Sequence, residues 1–202
     1  VAIDGNTLVV GAVPGEESPA PSGRAYVFEQ TAPGTWAEEA QLIPDAAVPT
    51  RGYGTAVAID SDTVVVTAPT DTDNGADSGS AYVFVAAAGE TWVEQARLVP
   101  GDGEAGDRFG SSVALEANSI VVGAVHDDDR GPDSGSAYVY ARRADGTWTE
   151  WSKLIAGGGD PGDALGGSVA IDGSLTLVGA SMDDELGDDA GAAYVFEVLS
   201  PA

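Results

Sequence analysis

Three short loops carry the residues best suited to chemistry. Asp71, Asp73 and Asp77 surround Gly75; Asp127, Asp129 and Asp133 surround Gly131; Asp183, Glu185 and Asp189 surround Gly187. Alternate carboxylates with a glycine between them can wrap several oxygens around a hard cation, which is what calcium asks for. These nine residues are the candidate metal ligands, and calcium is the cofactor they suggest. Asp, Ser and Gly also make good surface turns for purely conformational reasons. The spacing leaves both readings open. A fourth, earlier loop has Gly15, Glu17, Pro19 and Pro21 at the corresponding places and reads as a degraded version. None of the loops supplies the glutamate that completes an EF-hand.

A second acidic set precedes the later repeats: Asp102, Glu104 and Asp107, then Asp160 and Asp163, with Arg51 standing where the others have Asp107 and Asp163. Turn capping is the favoured reading there. Catalysis finds little support. His126 is the single histidine, and neither a partnered nucleophile nor a G-x-S-x-G turn accompanies it. Acidic residues spread evenly over repeats argue against one asymmetric carboxylate pair of the glycosidase kind. Trp36, Trp92 and Trp148 could cover a packed face or stack on sugars, and packing is the favoured reading. Trp151 has no counterpart in Glu39 or Gln95 and reads as an individual surface feature.

The elements that must position these residues repeat at a step of 56: Tyr26, Tyr82, Tyr138 and Tyr194 keep it, as do the three tryptophans. A fixed period of that length means one supersecondary unit repeated, each copy burying its apolar faces on the next. In the third copy Phe109 to Glu116 reads as a short strand, and the Ala117-Asn118 pair turns it into Ser119 to Ala124. Gly5-Asn6, Ser61-Asp62 and Gly173-Ser174 are the equivalent pairs, suited to primed hairpin turns. The acidic loop follows, then the aromatic strand from Ser136, the Asp145-Gly146 turn and a Trp-bearing fourth strand. Four short antiparallel strands per unit with no helical periodicity describe a propeller blade.

The expected fold is therefore all-β, a β-propeller of four-stranded antiparallel blades with the Val-rich first and second strands innermost. About four blades are expected, three complete and the last lacking its outer strand. The chain reads as a single domain, 1–202, with repeats 1–50, 51–105, 106–161 and 162–202. Val1 already lies inside a repeat, so the expectation is a mature, trimmed or excised segment, and a missing signal sequence says nothing.

Bulk properties narrow the partners. Thirty-three acidic residues against eight basic ones give a net charge of -25, a field that repels nucleic acid and anionic membranes. No stretch approaches the roughly 20 apolar residues of a membrane-spanning helix. With no cysteine there is no disulfide, thiol nucleophile or zinc-thiolate site.

Phe109-Gly110 with Gly123-Ala124-Val125 resembles the FG-GAP repeat, the blade unit of integrin α-subunit propellers and of many bacterial surface proteins. Weaker copies are Tyr53-Gly54 with Thr67-Ala68-Pro69, and Leu165-Gly166 with Gly179-Ala180-Ser181. The resemblance covers the whole chain and is nearest the bacterial variety, with its Ser-Gly-Ser-Ala-Tyr-Val-Phe strand. It implies an integrin-like extracellular or cell-surface propeller of the cell-adhesion kind. In integrin propellers the acidic loop lies between the first and second strands, a connection of two residues here, so those calcium sites are not carried over by position. The expected function is a non-enzymatic binding or scaffold module, calcium-stabilised, presenting loops to a protein or glycan partner. Two alternatives stand beside it: a hydrolase or lyase with an acidic site on the axial face, and an excised or engineered fragment without isolated function. Nucleic-acid binding and membrane insertion are not expected. Self-association through incomplete blade edges is expected.

Overall fold

The computed structural model describes residues 1–14, 23–45, 52–87 and 91–198. Gly15, Glu17, Pro19, Pro21, Arg51 and the end of the chain from Leu199 therefore lie outside the described residues. Every regular element described is a strand. Blade one holds β1 (Ala2–Asp4), β2 (Thr7–Ala12), β3 (Arg24–Ala32) and β4 (Thr35–Leu42). Blade two holds β5 (Val57–Asp60), β6 (Thr63–Ala68), β7 (Ser80–Ala87) and β8 (Thr91–Leu98). Blade three holds β9 (Phe109–Glu116), β10 (Ser119–Ala124), β11 (Ser136–Arg142) and β12 (Trp148–Leu154). Blade four holds β13 (Leu165–Asp172), β14 (Leu175–Ala180) and β15 (Ala192–Glu197). Each sheet is an antiparallel meander in sequence order, and each falls within one repeat.

The hairpins form where the sequence places positive-φ residues. Gly5, Ser61, Ala117 and Gly173, the first of each two-residue connection, have φ of 54, 56, 49 and 58°. Antiparallel order then puts the connections after strands two and four at one end of blades two and three, and the connection after strand two at the same end of blade four. The acidic loops among the described residues lie at that end.

Three apolar cores lie between blades rather than within them. Val9, Val27 and Leu42 of blade one pack with Val64, Val66, Tyr82 and Phe84 of blade two. Val65, Val83 and Leu98 meet Ile120, Val122, Tyr138 and Tyr140; Val121, Val139 and Leu154 meet Val178, Ala180, Tyr194 and Phe196. Period-two alternation explains this: odd positions of strands two and three face the following blade, and even positions face the preceding one. First strands lie against first strands (β1 on β5, β5 on β9, β9 on β13), so the Val-rich strands are innermost. The four blades make an open arc, with no comparable packing between blades four and one among the described residues.

The glycines of the two repeat signatures meet back to back across the seams between blades one and two and between blades three and four. A Cβ on Gly123 would stand 1.9 Å from the Gly166 carbonyl oxygen. Gly166 itself takes φ +97°, a region closed to most side chains. At the seam between blades two and three the glycine is replaced by Thr67, whose Oγ1 accepts the Ala56 N–H at 3.0 Å.

Candidate functional site

The acidic loops are built around one buried carboxylate each. Asp71, Asp127 and Asp183 are 3%, 2% and 2% exposed. Each accepts a hydrogen bond from the strand-three tyrosine eleven residues on: Tyr82 at 2.6 Å, Tyr138 at 2.7 Å and Tyr194 at 2.5 Å. The hydroxyl supplies the partner that a carboxylate removed from water requires. Burial, followed by the Asp127 bond, pushes the Tyr138 hydroxyl well above the ordinary phenol range. Tyr82 is raised for the same reasons with Asp71, and Tyr194 is raised first by its bond to Asp183.

In blades two and three a basic side chain from the outer strand completes the cluster. Arg97 on β8 lies 3.1 Å from Asp71 Oδ2 and pairs with Asp73 as well. Lys153 on β12 lies 2.8 Å from Asp127, 2.6 Å from Asp129 and 2.9 Å from Asp102. Strand register decides this, because Arg97 stands opposite Tyr82 and Lys153 opposite Tyr138. Each cation also sits over its tyrosine ring, at 5.1 Å for Arg97 and 5.0 Å for Lys153. Burial alone would depress the Lys153 pKa, but hydrogen bonds to Asp127, Asp129 and Asp102 outweigh it and raise it. Burial likewise works against the Asp102 carboxylate, whose bonds to Lys153 and Tyr138 hold it below its usual value.

Between blades two and three these groups line a cleft of about 160 Å³, walled by Asp102, Glu104 and Asp107 on one side and Asp127, Asp128 and Asp129 on the other. Lys153 is its one positive group. Asp107 serves the loop itself, accepting the Glu104 N–H at 2.7 Å, and Asp163 does the same for Asp160. Burial raises the Asp107 pKa. These residues behave as turn caps, as their place in the sequence suggested.

The candidate metal ligands divide in a consistent way. The first two of each set come together at the buried end: Asp71 with Asp73, Asp127 with Asp129, and Asp183 with Glu185, whose N–H donates to Asp183 at 3.2 Å. The third stands apart. Asp77, Asp133 and Asp189 occupy the left-handed region at φ 54, 55 and 49°, where Asp is among the few tolerated side chains. The Asp77 and Asp133 carbonyls accept from Arg108 and Ala164, and the Asp133 carboxylate meets His126 Nδ1 at 2.5 Å. Among the described residues, no group of three or more His, Cys, Asp or Glu side chains is placed to hold a metal ion. In two of the loops the chain's own cation, Arg97 or Lys153, sits among these carboxylates.

Sequence reasoning missed a second set of residues. Strand three meets strand four with an extra residue on the outer strand, between Ala40 and Glu38, Ala96 and Glu94, and Ser152 and Glu150. The bulged residues are Glu39, Gln95 and Trp151. Glu39 and Gln95 accept the indole N–H of the next blade's tryptophan, Trp92 at 3.2 Å and Trp148 at 2.9 Å. Trp92 and Trp148 belong to the inter-blade cores, in line with packing. At the third position the bulge aims Trp151 along the blade-four seam, beside Ile171, Thr176 and Val198. The signal available was that Glu39, Gln95 and Trp151 share the repeat step.

Comparison with known proteins agrees with this architecture. The FG-GAP repeat model matches three times, over residues 36–84, 92–140 and 148–196. Each match runs from an outer-strand tryptophan to the aromatic strand of the next blade. No curated protein matches. Among solved structures, Sqt1 from Chaetomium thermophilum is 16% identical over 96% of this chain and 41% of its own, with a TM-score of 0.56. A protein from Lactobacillus plantarum is 15% identical over 98% of this chain and 53% of its own, with a TM-score of 0.49. The chain thus spans about half or less of the solved chains it matches, and at such identity the Sqt1 likeness shows the fold alone. The repeat matches cover well over half the chain, which belongs to the FG-GAP repeat family.

Proposed function

We propose that this propeller arc is a non-enzymatic binding or scaffold module of an extracellular or cell-surface protein, offering its acidic loop end to a basic protein partner. The observation that carries the reading is the way the cleft carboxylates are held. Asp102, Asp107 and Asp127 are each fixed by a hydroxyl, a backbone N–H or Lys153. Groups tied in this way make a fixed, strongly negative surface, not a poised acid–base pair. Family membership supports the scaffold role in general terms, since propellers host many functions. A glycan partner is the weaker form of the reading, because Trp92 and Trp148 are committed to the inter-blade cores.

The test uses a lysine-rich peptide and a neutral oligosaccharide array as probes. Binding of the peptide is expected to weaken as salt rises. Exchanging exposed Glu104 for Gln is expected to weaken it a further two- to threefold at low salt. Binding to sugars with indifference to the peptide would overturn the choice of partner. Turnover of a glycoside substrate lost in Asp107→Asn would overturn the non-enzymatic reading.

A further inference from the structure

The seams between blades are not equally tight at the loop end. A Cβ on Gly54 would stand 2.4 Å from the Arg24 carbonyl oxygen and 3.1 Å from the Ala12 nitrogen. One on Gly166 would stand 2.2 Å from the Ser136 oxygen and 3.0 Å from the Ala124 nitrogen. At the seam between blades two and three, a Cβ on Gly110 would stand 3.1 Å from the Ser80 oxygen and 3.5 Å from the Ala68 nitrogen. Two residues account for the wider gap. Thr67 sets its own Cβ against Gly110, where Gly11 and Gly123 have none to set. Blade three also ties itself to blade four through Ser112, whose hydroxyl donates to the Gly166 carbonyl at 2.7 Å, whereas blade two has Ala56 at that place. The acidic cleft opens at this same wide seam. Its first wall is tied to blade two, because the N–H groups of Gly106, Arg108 and Phe109 donate to the Ala76, Asp77 and Ser78 carbonyls at 2.9, 3.0 and 3.0 Å.

We propose that Thr67 is a spacer: it holds blades two and three apart at the loop end and so sets the width of the acidic cleft. Thr67 is fully buried, and its hydroxyl is engaged within blade two by the Ala56 N–H and carbonyl, at 3.0 and 3.3 Å. What it presents to blade three is bulk. Close-packed interiors do not absorb an added side chain, so the bulk is passed on as separation of the blades. The consequence for recognition rests on the reading of this end as a dock for a basic partner. Six carboxylates line the cleft against the single ammonium of Lys153, which leaves charge enough for a second cation. A seam as tight as its neighbours would press the two acidic walls together and leave less room for an incoming lysine side chain.

The experiment compares Thr67→Gly, Thr67→Val and the pair Thr67→Gly with Ala56→Ser, which copies the Gly123 and Ser112 of the next seam. Lys153 is the only lysine of the chain, so its acylation by a succinimidyl ester, read by mass spectrometry against the N-terminal amine, reports access to the cleft without any ligand. The lysine-rich peptide is titrated in parallel. Glycine and valine both take the hydroxyl from the Ala56 N–H, and both variants are expected to melt lower. Only glycine removes the bulk. Thr67→Val is expected to acylate and to bind as the wild type does. Thr67→Gly is expected to acylate severalfold more slowly and to bind the peptide about threefold more weakly. Adding Ala56→Ser is expected to deepen both effects. Equal acylation of the wild type and Thr67→Gly, or the same slowing in Thr67→Val, would overturn the spacer. Slowed acylation in Thr67→Gly, with a wild type that ignores the peptide, would support the spacer and remove the basic partner.

Discussion

Lys153 is 17% exposed and holds three carboxylates, of which Asp127 is 3% exposed while Asp102 and Asp129 are about half exposed. The two exposed pairs contribute little each, because solvent screens them. The Asp127 pair is different, since removing the ammonium leaves a buried carboxylate with only a phenol and backbone partners. Lys153→Gln is therefore expected to destabilise the protein by about 2 kcal/mol, lowering Tm by roughly 5 °C. Lys153→Arg should restore most of the loss, because Arg97 fills this role in blade two. The same melts examine the calcium expectation: with its acids already paired, the wild type is expected to melt alike in calcium and in chelator. A marked rise in calcium would return the metal to these loops. The carboxylate pattern was plain in the sequence, but its partners were not. The pairing of Arg97 and Lys153 with these acids depends on register and on a bulge that periodicity does not reveal. Asp77, Asp133 and Asp189 take left-handed turn conformations, and a left-handed turn and a cation loop favour the same residue type.

At the scale of elements, strand number, order and hairpin position were legible from the period and from the Gly, Asn and Asp pairs. The outer-strand bulge was not, for one extra residue in a polar edge strand disturbs no hydrophobic pattern. Its effect is to turn Gln95 out of the ladder so that Oε1 reaches the Trp148 indole of the next blade at 2.9 Å. Trp148 is 9% exposed, so its N–H depends on that acceptor. Gln95→Ala is expected to cost about 1 kcal/mol, measured by chemical denaturation, for a hydrogen bond lost at a buried donor. Gln95→Glu is expected to be nearly neutral, because Glu39 accepts from Trp92 in the same geometry. Equal losses in both variants would show that the bulge matters only through backbone shape.

For the whole molecule, the open arc leaves two faces that the repeat makes complementary. Leu177 and Val195 of blade four are 45% and 66% exposed, whereas their equivalents Val65, Val83 and Val121 are 0% exposed and Val139 2%. At the other end Ile3 is 61% exposed where Ile59 is 9%. Each internal seam joins such a face to the equivalents of Leu8, Val10, Tyr26 and Phe28 in the next blade. A polar contact repeats as well. Asp4, Asp60 and Glu116 accept the N–H of Ser61, Ala117 and Gly173 in the next blade, at 2.7, 2.5 and 2.6 Å. Asp172 and Gly5 are the next acceptor and donor in that series. We propose that two copies of this 202-residue chain associate head to tail, closing into a ring if the curvature permits and otherwise growing open-endedly. Burying Leu177, Val195 and Ile3 supplies the driving force, at roughly 1–2 kcal/mol per side chain for surfaces already half covered. Light scattering on the 202-residue chain at high micromolar concentration is expected to give twice the monomer mass without further growth. Val195→Lys and Leu177→Asp are expected to return it to monomer while leaving the strand circular dichroism unchanged. A monomeric mass for the unaltered chain under the same conditions would show that these faces do not join two copies.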